Sequence, residues 1–137
     1  MTTLVPPPRF GGAFRTDVRA RAAYAEGAGI YRILPDAIAL PESVADLERL
    51  VCWADERGIP LVTRGAGSAM PGSSVGAGVI VDLGRMQPAT LEVDPDSRRA
   101  VTGASVTYQA LADAAQTHGL RLPPDPSSAA FATMGGM

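Results

Sequence analysis

Between two short apolar runs the chain carries Arg64-Gly65-Ala66-Gly67-Ser68-Ala69-Met70-Pro71-Gly72. Ile59-Pro60-Leu61-Val62 precedes this loop, and Gly76 and Gly78 lead from it into Val79-Ile80-Val81-Asp82-Leu83. Glycines this dense let the backbone approach a neighbour without Cβ atoms in the way. Successive N–H groups in such a loop can form a concave nest for an anion, phosphate above all. An arginine at its mouth adds charge and a planar fork suited to phosphate oxygens. Glycine spacing alone leaves both a strand-joining turn and an anion nest open.

Two phosphate-binding templates fail on these residues. Gly67 and Gly72 have the spacing of a P-loop, but Ser73 stands where the phosphate-reaching lysine belongs. Gly65 and Gly67 begin a dinucleotide fingerprint, but Met70 takes the place of its third glycine. Pro71 and a strand then follow, not a helix whose N-terminus could hold pyrophosphate. What remains is a strand-loop-strand nest with hydroxyls from Ser68, Ser73 and Ser74.

The flanking pattern predicts an α+β domain of β-α-β units, with helices packed on small mixed sheets. Residues 1 to 22, rich in proline and arginine, read as an N-terminal arm with a short helix around 16 to 24. Residues 23 to 137 read as one domain. Asp36 to Leu40 is a short strand between Pro35 and Pro41. Ser43 with Asp46 three residues on resembles a capping box and starts a helix over 43–57. Val44, Leu47, Leu50, Val51 and Ala54 form its expected apolar face. Gly58 and Pro60 end it. Ile59 to Thr63, residues 79–83, 90–93 and 99–103 are expected strands. Asp94-Pro95-Asp96-Ser97 reads as a polar hairpin turn rather than a calcium loop. A second helix is expected from Thr107 to His118, with Tyr108, Leu111, Ala114 and Ala115 on one face. Gly119 ends it, and Leu120-Arg121-Leu122 is extended again.

Composition narrows the function classes. The net charge is −2, all 12 basic residues are arginine, and they form no basic stripe, which argues against nucleic acid as the main partner. Cys52 is the single cysteine and His118 the single histidine, so neither a disulfide framework nor a Cys/His metal site is expected. Cys52 reads as a small buried residue, and His118 as a helix-end surface residue. No leader and no stretch of membrane-spanning length is apparent, which points to a cytoplasmic protein.

Several separated motifs carry a resemblance. They are Tyr24 to Leu34, Pro60 to Ser68, Val79 to Met86, and a tail of Pro124-Asp125-Pro126-Ser127-Ser128 followed by Ala132-Thr133-Met134-Gly135-Gly136-Met137. In this order and spacing the chain resembles the N-terminal part of the FAD-binding domain of the vanillyl-alcohol-oxidase or PCMH-type flavoproteins. The glycolate oxidase and D-lactate dehydrogenase branch is the nearest in pattern. The resemblance implies a PCMH-type FAD-binding fold, incomplete at the C-terminus, with residues 23–137 a truncated domain.

It further implies that Arg64, Gly65, Ala66, Gly67, Ser68 and Ala69 wrap the FAD pyrophosphate, with Gly72 and Ser73 completing the loop. Pro124, Asp125, Pro126, Ser127, Thr133, Gly135 and Gly136 would line the flavin. Thr63 replaces the family's more frequent proline, and Pro71 removes one backbone donor. Some relatives attach FAD through a loop histidine, which this loop lacks, so the implied cofactor is non-covalent FAD. The implied enzyme oxidises a 2-hydroxy acid such as D-lactate or glycolate to the 2-oxo acid. It passes electrons to an acceptor or a complementary subunit. The catalytic base would lie in a substrate-capping domain, so no catalytic residue is expected in this chain. The residues also leave open a non-catalytic fragment, or a module that binds a nucleotide or another subunit.

Overall fold

A computed structural model describes residues 4–137. Its first body is a four-stranded sheet built from β1 (Ala13–Arg15), β2 (Ala37–Leu40), β3 (Leu61–Arg64) and β4 (Val79–Asp82), in the order β1-β2-β4-β3. α1 (Val18–Ala23) lies between β1 and β2 in sequence, and α2 (Val44–Asp55) between β2 and β3. β2 and β3 both run parallel to β4, which sits between them, so the β2-α2-β3 unit leaves a gap that β4 fills. Central parallel strands are buried on both faces and need continuous apolar runs. Val79-Ile80-Val81 and Ala37-Ile38-Ala39 supply them, and all six are essentially inaccessible.

Side-chain alternation divides these strands between two faces. Ala37, Ala39, Val79 and Val81 meet Leu50, Trp53 and Ala54 of α2 in the main core. Ile38 and Ile80, opposite each other in register, fill the other face. Each large apolar side chain buried this way contributes about 1.5–3 kcal/mol.

The expected arm is part of this body. β1 pairs antiparallel with β2, Phe14 opposite Ala39. Phe14 meets Trp53 edge-on, at 5.8 Å between centroids, and Phe10 packs edge-on against Phe14. Proline and arginine content suggested an arm, but three aromatic rings fix the segment to α2.

α2 starts where expected. Ser43 caps it by accepting from the Asp46 N–H (3.1 Å), but the buried face is rotated from the expected one. Asp46, Leu50, Trp53 and Ala54 are inside, whereas Val44 and Val51 are half exposed, and Cys52 is exposed rather than buried. Trp53 decides the rotation, because it is the largest apolar surface on the helix and it turns toward Phe14.

The second part of the chain begins with a hairpin of β5 (Leu91–Asp94) and β6 (Arg99–Thr102). Its expected turn is present: Asp94 accepts from the N–H groups of Asp96 and Ser97 and from the Ser97 hydroxyl. α3 (Tyr108–Gln116) is capped by Thr107 and buries Tyr108, Leu111 and Ala115. Leu120–Leu122 forms no strand. The Leu120 N–H bonds back to Ala115 to close the helix end, and the Leu122 carbonyl accepts from the Tyr108 hydroxyl. After a turn over 128–131 the tail doubles back. Thr133 bridges Thr107, and a 3-10 turn over Met134–Gly136 follows.

Candidate functional site

The loop that leaves β3 faces the tail across an open cavity of about 270 Å³. Gly65, Ala66, Gly67, Ser68, Ala69 and Ser73 line one wall. Pro126, Thr133, Gly135 and Gly136 line the other. These ten residues were all expected at the site, and the fold brings together two segments some sixty residues apart in sequence.

Close packing explains why glycine stands at the seam. A Cβ at Gly65 would strike the Thr133 hydroxyl, and one at Gly135 would lie 2.7 Å from the Ala104 Cβ. Gly67 adopts a left-handed φ of 74°, a region that L side chains enter only at a cost.

The two walls differ in hydrogen bonding. The tail's N–H groups are already engaged: Met134 donates to Val106 (2.8 Å), Gly135 to Ala104 (3.1 Å) and Gly136 to Thr133 (2.9 Å). Among the described residues, the N–H groups of Ala66, Gly67, Ser68 and Ala69 donate to no protein acceptor. The Ser74 Oγ is buried at the same wall and has no partner. Buried polar atoms almost always find one, so this wall has the chemistry of a site for an acceptor-rich guest. A nest of N–H donors with an unpaired hydroxyl suits phosphate oxygens.

Five expected residues do not line the cavity. Pro124, Asp125 and Ser127 are exposed on the connection that leads to the tail. Gly72 lies beneath Tyr31, where a Cβ would come within 2.6 Å of the ring. Arg64 turns its guanidinium to the opposite side. Its Nη1 donates to the carbonyls of Glu26 (2.9 Å), Ser74 (3.3 Å) and Tyr24 (3.4 Å), and the group stacks 5.2 Å from the Tyr24 ring centroid. Arg64 instead borders a smaller recess of about 40 Å³, with Leu83 and Ala104, that shares Gly65, Thr133 and Gly135 with the cavity.

Conversely, Thr63, Ser128, Ala132 and Met137 line the cavity without having been expected there, and Ser74, expected as one hydroxyl of the nest, lines it as well. Ser74 had a visible signal, the Ser73-Ser74 pair, but only the folded loop shows which hydroxyl is buried.

Behind the loop, the Tyr24 hydroxyl donates to Asp82 at 2.5 Å, and the other Asp82 oxygen accepts from the Gly84 N–H. Burial, then the Asp82 hydrogen bond and charge, push the Tyr24 hydroxyl up to about 12. Tyr24 is therefore a neutral donor at any physiological pH.

With this geometry in view, comparison with known proteins decides the family. The family described as FAD binding domain matches residues 35–137. The chain belongs to this family. A D-lactate dehydrogenase of Archaeoglobus fulgidus is 39% identical over 97 residues, 71% of the chain and 22% of that protein. A D-2-hydroxyglutarate dehydrogenase of Haemophilus influenzae is 34% identical over 131 residues, 93% of the chain and 13% of that protein. Among solved structures, alkyldihydroxyacetonephosphate synthase superposes with a TM-score of 0.73 at 26% identity, over 90% of this chain and 28% of that one. The PCMH-type fold expected from the resemblance is therefore present, and this FAD-binding domain chain spans about a fifth or less of the two dehydrogenases it matches. FAD is the cofactor this family membership implies, and the residues at the cavity fit it, since the donor wall and the unpaired Ser74 are those a diphosphate needs. No helix among the described residues is long and apolar enough to cross a membrane.

Proposed function

We propose that this FAD-binding domain holds FAD non-covalently, its diphosphate against Ala66–Ala69 and Ser74, as part of an enzyme that oxidises a D-2-hydroxy acid to the 2-oxo acid. The observation that carries the reading is the loop wall, with its uncommitted N–H donors and unpaired buried hydroxyl. The substrate class rests on the relatives, which are dehydrogenases of D-lactate and D-2-hydroxyglutarate.

Bound FAD supplies the acceptor for the two electrons that such an oxidation releases. The chain's own residues bind and orient. The loop N–H groups neutralise phosphate charge without a competing side chain. Thr133, Gly135 and Gly136 present a close-packed opposing wall. The cavity is lined by glycine, alanine, serine, threonine, proline and methionine alone. The proton acceptor for the substrate hydroxyl therefore belongs, in this reading, to another part of the enzyme.

The test is a titration of the isotopically labelled 137-residue chain followed by amide chemical shifts. ADP and FAD are expected to bind weakly and to move the Gly65–Ala69 and Ser74 signals. Riboflavin, which lacks phosphate, is expected to leave them in place. Shifts confined to other residues, or equal responses to riboflavin and FAD, overturn the proposal.

A further inference from the structure

An arginine at the mouth of a glycine loop invites the reading of a phosphate ligand. The geometry points elsewhere. We infer that Arg64 is a positioning residue, which rivets the segment from Tyr24 to Gly27 onto the outer side of the loop and so sets the direction of the loop N–H groups. The inference deepens the proposed function and rests on the loop as the phosphate wall.

Three backbone carbonyls from two separate segments converge on a single nitrogen, Nη1. Tyr24 and Glu26 belong to one segment, and Ser74 closes the far end of the glycine loop. Nη1 has two hydrogens, so the three carbonyls share them: the bond to Glu26 (2.9 Å) is the short, charge-assisted one, and those to Ser74 (3.3 Å) and Tyr24 (3.4 Å) are longer. The planar group is also held on the Tyr24 ring, and Tyr24 is itself fixed by Asp82 at the end of β4.

The loop closes over the guanidinium from the other side. A Cβ at Gly67 would lie 2.5 Å from Nη2, so Gly67 rests directly on the cation. The Ala28 N–H reaches the Gly67 carbonyl (2.9 Å), adding a second tie between the same two segments. A peptide whose carbonyl is held outward in this way faces the cavity with its remaining surface. Arg64 thus acts on the cofactor through the backbone, and its Nη1 hydrogens are committed to protein carbonyls.

The experiment compares the intact chain with Arg64→Met in two measurements. Without ligand, hydrogen exchange of the hydrogen-bonded Ala28, Gly72 and Val75 amides is expected to quicken in the variant at least about tenfold, while β2 and β4 keep their protection. Unchanged exchange at these amides overturns the inference, whatever the ligand does.

With ADP as the probe, affinity is measured at about 0.05 and about 0.5 M salt, which shortens the screening length roughly threefold. A positioning arginine predicts the same fold-loss of affinity at both salt concentrations. A loss that is large at low salt and vanishes at high salt identifies a direct phosphate partner and overturns the inference. Absence of any ADP response in the unaltered chain defeats the proposed function instead, and the exchange measurement still decides the role of Arg64. Arg64→Lys keeps the charge but lacks the planar fork, and it carries the same comparison if Arg64→Met does not fold.

Discussion

Gly67 and Gly58 share a backbone conformation but not an environment, and the contrast separates strain from function. Both have left-handed φ, 74° and 61°. A Cβ at Gly58 meets nothing within 4 Å, whereas one at Gly67 runs into the Arg64 guanidinium. Alanine at Gly58 therefore carries only the backbone term, about 1–2 kcal/mol. Valine at Gly67 adds a clash with the group that organises the loop, for a cost of at least about 3 kcal/mol. Thermal unfolding is expected to rank the variants in that order, and flavin or ADP binding to be lost only in Gly67→Val. Equal binding by the two variants would move the site away from this loop. At this scale the sequence was partly legible. Glycine dense enough to form a nest was visible in the residues themselves. The role of Arg64 was not, because two of its three acceptors are the carbonyls of Tyr24 and Glu26, 40 and 38 residues back in the chain, which no local pattern announces.

Among the elements, α2 carries the strongest coupling between charge and fold. Asp46, at its first turn, is almost wholly inaccessible. It accepts from the Gly11 N–H (2.8 Å), the Ser43 hydroxyl and the Glu42 N–H, with Arg49 at 3.4 Å. The Gly11 bond is the largest cause that holds this carboxyl below its ordinary value. Burial opposes it, and the Ser43, Glu42 and Arg49 contacts add to it. A carboxyl lowered in the folded chain stabilises the fold at pH above the unfolded value, about 3.9. That contribution fades as pH falls through the folded value. Asp46→Asn should thus lower the melting temperature at neutral pH, and the gap to the unaltered chain should close below about pH 4. A constant gap from pH 3 to pH 7 would show that shape rather than charge matters there. The capping pattern Ser43-x-x-Asp46 located this helix in the sequence. Its buried face was misjudged because apolar residues surround the helix, and only the docking of Phe14 on Trp53 selects a side. The place of β4 between β2 and β3 is likewise a property of the sheet and not of any segment.

The whole molecule has two parts, and the cavity lies where they meet. The four-stranded sheet with α2 holds the main core and sends out the glycine loop. The β5–β6 hairpin, α3 and the tail form the other part, with Val101 62% exposed and a sheet of only two strands. A two-stranded sheet is marginal without packing from elsewhere. Amides of β5, β6 and the 133–136 tail are therefore expected to exchange faster than those of β2 and β4 in the ligand-free chain. A guest that spans both walls must slow the two sides together, through different causes. The 66–69 amides gain acceptors they lack. The tail amides already have acceptors, so they slow only if separation of the two parts becomes rarer. Hydrogen exchange with saturating FAD should show both effects, whereas protection confined to 66–69 would place the guest on the loop alone and leave the tail as packing.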